Sequence, residues 1–461
     1  MQIAFSVIDL RRTEAWFVDG LGFLPAGGSI FMMSGPIAAP VMGIPGAASC
    51  GWWLVGRNAW FQLELFQFRR PIAKLMPADF RPCDVGYTRM GVHVTDFDAA
   101  LENLARLGSA PLTPPLGAPG QRRACVRNPD GVYIELMEDD PLPQPAGSER
   151  AGCPVAVRSV TMSTPDLEAS VAYLSAYNGK GPQDITLHTA AHEALWGLPG
   201  ANCKRAVFRS GDILVEVVEY LDPLGKPWPR GYRICDQGIL NIAYGERTKA
   251  DHTLVYERTL AFGARPNRKP FHFDNAGVVY MNDSLGFSVE STWMKPGSKN
   301  LKYGFEPITP REKRPQHDKL RITGSVRIAA PAGKVWKILN DQDSMSAWIG
   351  FDSVRRTREG DADPNGVGSE RLMKAKFAAV LEQITGIEPG RCIRYRVIEG
   401  GPVSFHNGEI HLRPLEDGCQ VDWSIRCRSK YPLIGGLLRW LMQKMLDRML
   451  LEGLKPFAEK S

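Results

Sequence analysis

Four glutamates, Glu64, Glu135, Glu216 and Glu290, each interrupt an otherwise apolar strand pattern, as in Phe61-Gln62-Leu63-Glu64-Leu65-Phe66 and Ile213-Leu214-Val215-Glu216-Val217-Val218. A carboxylate turned into a closed interior is costly unless it is paired, ligates a cation or shares a proton with a second carboxylate. Two carboxylates facing one another cannot both ionise cheaply. One pKa rises, and the pair can then serve as base and acid toward a carbon acid. Further along, Glu382 alternates with Val380 and Ile384, and His406 shares a strand face with Ile410 and Leu412. Both are proton-transfer candidates, with a satisfied core histidine as the alternative for His406. His188 and His192, one helical turn apart with no third ligand, read as a solvated helix face. There is no phosphate-binding glycine loop and no nucleophile elbow.

The elements that must position these groups come in two copies. Met42-Gly43-Ile44-Pro45-Gly46-Ala47 precedes the Glu64 strand as Trp196-Gly197-Leu198-Pro199-Gly200-Ala201 precedes the Glu216 strand. Cys83-Asp84-Val85-Gly86 is echoed by Cys235-Asp236-Gln237-Gly238. The period of about 150 residues marks a duplicated domain, since solenoid repeats run roughly 20–50 residues. Each copy is itself two βαβββ halves. In the first, a strand near Ile3–Ile8 leads to a helix ending at Gly20-Leu21-Gly22, with strands around Trp52–Val55 and Trp60–Phe68. The pattern restarts with strand Thr88–Val94, Thr95-Asp96 as N-cap, helix Phe97–Leu107, and strands joined by the turn Asn128-Pro129-Asp130-Gly131. Residues 1–145 and 153–296 form these two domains, a polar linker spans 297–317, and a third domain covers 318–461. The last begins with strand Leu320–Ile328 and closes on a helix from about Leu433 to Phe457, about 37 Å long at 1.5 Å per residue. Its stripe of Leu437, Leu441, Met445, Met449 and Leu450 is expected to pack on its own sheet, with a membrane surface as the alternative.

Bulk composition narrows the function classes. The 461 residues, 44% hydrophobic and 23% charged, suit a soluble protein of about three domains. A net charge of +6 without a basic, aromatic-laced stripe argues against nucleic acid. Nine scattered cysteines with no C-x-x-C pair read as reduced cytoplasmic thiols. The start lacks a basic n-region, and no run of about 18 apolar residues suggests membrane insertion.

Val7-Ile8-Asp9-Leu10 with Gly20-Leu21-Gly22-Phe23, Leu63-Glu64-Leu65, Val94-Thr95-Asp96-Phe97 and Asn128-Pro129-Asp130-Gly131-Val132-Tyr133-Ile134-Glu135 resemble the vicinal oxygen chelate superfamily of glyoxalase, bleomycin-resistance and dioxygenase-like proteins. The resemblance implies an α+β fold of paired βαβββ modules that hold a divalent metal on four strand residues. Those positions map to Gln2, Glu64, Arg89 and Glu135 in the first domain and to Ser159, Glu216, Asn241 and Glu290 in the second. A guanidinium does not ligate a metal, and His93 lies about 13 Å along the strand from Arg89. Arg89 is therefore expected to pair with Glu64 and Glu135 in place of an ion, or with them to meet substrate. In the second domain no basic residue enters the set, so Glu216 and Glu290 form the expected acid–base pair. With Asn241 they are also the candidate ligands of an oxygen-preferring cation, Mg²⁺, Mn²⁺ or Ca²⁺. Non-haem iron, which needs two histidines and a carboxylate, is disfavoured.

Ile328-Ala329-Ala330-Pro331-Ala332 with Val335-Trp336, Gly366-Val367-Gly368-Ser369, Glu388-Pro389-Gly390 and Val421-Asp422-Trp423 resemble the START-like polyketide cyclase/dehydrase superfamily. That implies a helix-grip domain whose apolar cavity takes lipids, steroids or polyketides. Trp348, Tyr395 and Trp423 are the expected lining. Three readings follow: an enzyme that cyclises, isomerises or dehydrates a hydrophobic oxygenated substrate by carboxylate acid–base chemistry; a non-catalytic carrier of such a molecule; and a metal-dependent, dioxygenase-like oxidoreductase. Monomer and homodimer both stay open.

Overall fold

Residues 1–299, 304–376 and 378–460 are described by the computed structural model, with the side chains of 37 and 38 outside that description. Part of the expected linker, at 300–303, and the last residue of the third domain therefore lie outside the described residues. The fold is mixed α+β with two sheets, one of fifteen strands and one of seven. The chain divides into two compact units, residues 1–76 with 80–315 and residues 77–79 with 316–461.

In the first unit the four half-repeats each supply strands on either side of a helix. Asp96 caps Phe97–Arg106 by accepting from Ala99 N at 2.9 Å, and Asp166 caps Leu167–Asn178 by accepting from Ala169 N at 2.9 Å. The Asn128 side chain holds its turn by accepting from Asp130 N at 3.0 Å and Val132 N at 2.9 Å, with Gly131 at φ 81°. In the second half-repeat a strand is reduced to the bridge Leu116–Arg123, and in the third to Gln183–Val207.

Pairing does not follow the repeats. Strand Gln2–Ser6 runs parallel to Gln62–Arg70 and antiparallel to Gly238–Glu246, which runs parallel to Ser288–Met294. Strand Gly86–Val94 runs parallel to Tyr133–Met137 and antiparallel to Val155–Ser163, which runs parallel to Ile213–Asp222. The first half-repeat thus joins the fourth, and the second joins the third. This corrects the expectation of one complete ligand set within each repeat. Its cause is visible in the connectors that precede Gly86 and Gly238. Asp84 accepts from Arg81 N and Lys226 N, each at 2.9 Å, while Asp236 accepts from Arg233 N at 2.9 Å and Lys74 N at 2.8 Å. Each aspartate of the Cys-Asp-x-Gly echo closes its own turn and grips the other repeat's connector.

The second unit is a seven-stranded antiparallel sheet. It begins with Leu320–Ile328 beside Gly418–Ser429 and ends with Ser353–Arg358. Helix Ala332–Asn340 and the terminal helix, α over Gly435–Arg448, π over Met449–Leu454 and α again over Lys455–Lys460, cover its apolar face. Leu438, Leu446, Met449, Leu450 and Leu454 pack inward. Leu437, Leu441 and Met445 do not: they are exposed, so the expected single stripe is two stripes on different faces of one helix.

Candidate functional site

Cross-pairing brings Gln2, Glu64, Asn241 and Glu290 into one cluster and Arg89, Glu135, Ser159 and Glu216 into another. The register shows why. Ala4 lies beside both Glu64 and Asn241, Gln2 is two residues back on the same strand face, and Glu290 pairs with Ala243 and with Tyr280. The expected Glu216–Glu290 pair, and with it the ligand set Glu216, Asn241 and Glu290, is therefore split between clusters. Arg89 and Glu64 are likewise parted.

Among the described residues the Glu64–Glu290 cluster contains no cation from the protein. Glu64 and Glu290 are each 5% exposed and Asn241 is fully buried. Burial, and after it repulsion from Glu290, pushes Glu64 up to about 8 against a donation from Trp53 Nε1 at 2.7 Å. Burial likewise raises Glu290 to about 7, partly offset by Tyr280 and by Asn241, whose Nδ2 donates at 3.3 Å. Both buried carboxylates thus favour the protonated form more than an exposed glutamate does. Ala39, Val41, Met42, Ile44, Phe66, Phe68 and Tyr280 form an apolar cluster here, so the first copy of the Gly-x-Pro-Gly-Ala echo covers this face.

The second cluster is neutralised from within. His188 reaches Glu216 Oε2 through Nδ1 and Glu135 Oε2 through Nε2, each at 2.8 Å. Arg89 donates to Glu216 at 3.1 Å and to the Tyr220 hydroxyl at 3.1 Å, and its guanidinium lies 3.8 Å from the Trp196 ring. Arg123 donates to Glu135 at 3.2 Å. Although burial alone would raise them, His188 and the arginines hold Glu135 and Glu216 at about 2. Burial opposes the charge on His188, but the two glutamates raise it to about 9. Arg89 pairs with Glu216, not with Glu64 and Glu135 as expected, and Arg89, Glu135, His188 and Glu216 are bonded together rather than free to meet substrate. His188 corrects a second expectation, since it is 4% exposed, not solvated. Its signal was position: it lies just ahead of the covering segment Ala190–Trp196, whose Leu195 and Trp196, with Leu198 and Ala201 just after it, close this cluster. The first copy has no histidine there.

Among the described residues no group of three or more His, Cys, Asp and Glu could hold a metal. Amides widen the choice. Gln2 Oε1 and Asn241 Oδ1 are buried and take no hydrogen bond among the described residues. With two carboxylates they make an all-oxygen donor set, which fits a hard divalent cation.

Inside the second unit, Arg371 donates twice to Glu382 Oε2, at 3.0 and 2.8 Å, and lies 5.4 Å from the Tyr395 ring. Burial raises Glu382 and Arg371 opposes it. Trp423 Nε1 donates to the Tyr395 hydroxyl at 2.8 Å, and Trp348 stacks edge-on to Trp423 at 6.5 Å. Gly408 leaves room for Tyr395, since a Cβ there would meet the ring at 2.2 Å. His406 lies 5.6 Å from Tyr395, and burial lowers it to about 4, a neutral imidazole. The Nδ1 of His406 and the indole nitrogen of Trp348 are buried without a partner among the described residues.

Residues 319–461 match the family described as polyketide cyclase/dehydrase and lipid transport. No curated protein matches the sequence. Among solved structures, glyoxalase I from Zea mays is 17% identical, covers 63% of this chain and 90% of its own, and has a TM-score of 0.42. A putative dioxygenase from Bacillus subtilis subsp. subtilis str. 168 is 12% identical over 68% of this chain and 91% of its own, at 0.45. A START superfamily protein from Mycobacterium smegmatis is 16% identical over 30% and 97%, at 0.27. The chain joins a repeated βαβββ unit to a C-terminal domain that matches the polyketide cyclase/dehydrase and lipid transport family, a match that supports a small-molecule enzyme or ligand-binding role.

Proposed function

We propose that the chain is an acid–base enzyme for a hydrophobic, oxygenated substrate of polyketide, steroid or aromatic type, with Glu64 and Glu290 as the proton-transfer pair. What supports this reading is that two buried carboxylates are brought into one cluster by the strand pairing, both raised by burial, with no protein cation paired to either among the described residues. The ionised carboxylate takes a proton from carbon next to a carbonyl, and the protonated one gives its proton to the carbonyl oxygen. Enolisation then costs no net charge, and isomerisation, dehydration or ring closure follows from the enol. The C-terminal domain contributes a binding interior. Glu382 is held by Arg371 and His406 is neutral, so neither has the free acid–base character expected of it, while the unpaired Trp348 and His406 nitrogens suit an oxygenated guest.

The test is solvent deuterium incorporation into an aryl 1,3-diketone probe by the full chain, with Glu64→Gln and Glu290→Gln alongside. Loss of exchange in both variants, with probe affinity kept, supports the reading. Exchange unaltered in both removes the pair from the mechanism, and binding without exchange in the unsubstituted protein favours a carrier.

A second reading is favoured by the unpaired Gln2 and Asn241 oxygens. Gln2, Glu64, Asn241 and Glu290 would together hold Mg²⁺, Mn²⁺ or Ca²⁺, which supplies polarisation of a substrate oxygen. Elemental analysis of the purified protein, repeated on Asn241→Leu, distinguishes it.

A further inference from the structure

The outer face of the terminal helix is an exposed apolar feature that neither glutamate cluster nor the C-terminal interior uses. Tyr431, Leu437, Trp440 and Leu441 are between 50 and 59% exposed, and Leu433 is fully so. Positions 437, 440, 441, 444, 445 and 448 fall on one helical face, opposite the inward Leu438, Leu446 and Leu450. A contiguous apolar stripe of this kind on a water-soluble surface is uncommon unless something covers it.

Its details are specific. Leu433 has φ 73°, a left-handed conformation that a branched, bulky residue adopts only at a cost and that places its side chain in full contact with solvent. The Lys444 ammonium lies 4.2 Å from the Trp440 ring, an indole with a cation beside it. From residue 430 onward the sequence has six basic residues, Lys430, Arg439, Lys444, Arg448, Lys455 and Lys460, against Asp447, Glu452 and Glu459. Arg448 is paired with Glu452 at 2.9 Å, and Lys444 and Arg439 carry no acidic partner among the described residues. Apolar wedge, interfacial tryptophan and net positive charge occur together in segments that lie in the headgroup region of an anionic bilayer. A symmetric contact with a second copy would instead set two such basic faces against each other.

Lys444, Met445, Arg448 and Leu451 also line a groove of about 1210 Å³, together with Trp348 and Phe457. We propose that this face docks the chain on an anionic lipid bilayer surface, with Leu433, Leu437, Trp440 and Leu441 entering the interface and Lys444 and Arg439 meeting lipid phosphates. The groove is then presented to apolar molecules dissolved in the bilayer. Docking of this kind is peripheral, consistent with no described helix being long and apolar enough to cross a membrane. It stands apart from the Glu64–Glu290 reading.

The experiment is co-sedimentation of the full chain with phosphatidylcholine vesicles, with and without phosphatidylglycerol, at low and high salt. Size-exclusion chromatography of the free protein runs alongside. Binding is expected on the anionic vesicles, weaker in salt, and reduced about a hundredfold by the triple substitution Leu433→Ser, Trp440→Ser, Leu441→Ser. All three side chains are exposed, so the folded state is expected to persist, and circular dichroism checks it. Lys444→Glu with Arg439→Glu is expected to remove the anionic preference. Equal sedimentation of triple variant and parent overturns the proposal, as does a dimer of the free protein that the triple substitution dissociates.

Discussion

His188 Nε2 lies 2.8 Å from Glu135 Oε2, across the boundary between the two repeats. The same imidazole bonds Glu216 from its other side, so one histidine cation stands between the two carboxylates of the second cluster. Removing it leaves Glu135 and Glu216 buried with Arg89, Arg123 and Arg205 as their remaining counter-charges. His188→Ala is expected to cost about 3–5 kcal/mol, the usual penalty for breaking a buried ion pair from one side. Chemical denaturation checks it. Deuterium exchange into the aryl 1,3-diketone probe, measured below the melting transition, is expected to stay unchanged.

The pH dependence of that cluster follows from the signs. Glu135 and Glu216 are depressed to about 2, so the stability they contribute is present above their unfolded value near 4.5 and is lost as pH falls toward 2. His188 is raised to about 9, so its contribution is complete below about 6.5 and is lost as pH rises through 9. The cluster therefore stabilises most between about 4.5 and 6.5. In His188→Gln the decline between 6.5 and 9 is expected to flatten, read as melting temperature against pH.

Glu64 and Glu290 carry the opposite sign from Glu135 and Glu216. Raised to about 8 and about 7, they bind more protons folded than unfolded, so stability falls as pH rises from about 4.5 to 8. Glu64→Gln is expected to raise the melting temperature at pH 9, where two buried charges would otherwise face each other, and to change it little at pH 4. The same substitution is expected to abolish deuterium exchange, so stability and activity move in opposite directions. A variant that loses both would point to a misfolded cluster.

The duplicated domain was legible because each copy repeats its chemistry in order, and the four glutamates do face the interior. Which glutamates meet was not. The strand containing Glu64 pairs with Gln2–Ser6 and Ala48–Val55 of its own half-repeat; the strand that crosses is Gln2–Ser6, beside Gly238–Glu246, and Asp84 and Asp236 hold that arrangement by gripping each other's connectors. Those residues were visible as an echo, but nothing in their spacing distinguishes a clasp from a site. The terminal helix misled for a related reason. Leu437, Leu441 and Met445 and the parallel series Leu438, Met442 and Leu446 have the same period, so hydrophobicity alone does not say which faces the sheet. Asp84→Ala and Asp236→Ala are each expected to cost about 2 kcal/mol, because each strands two backbone N–H groups. The pair of substitutions together is expected to cost more than their sum and to increase domain exchange between chains, read by light scattering.

In the C-terminal interior the Arg371–Glu382 pair separates structure from chemistry. If Glu382 serves mainly as the counter-charge of Arg371, removing either partner alone leaves a buried charge, and Arg371→Met or Glu382→Leu should each cost about 3–5 kcal/mol. The double variant Arg371→Met, Glu382→Leu puts apolar side chains on both neighbouring strands and should recover most of that loss. Tyr395 also lies against Arg371, so its ring has less to pack on in the double variant and the recovery should fall short of complete. A double-mutant cycle by chemical denaturation gives the coupling, and aryl-diketone exchange in the double variant gives the chemistry. Full exchange with a large coupling energy would make Glu382 a structural residue. Loss of exchange in a double variant that melts like the parent would return it to the catalytic machinery.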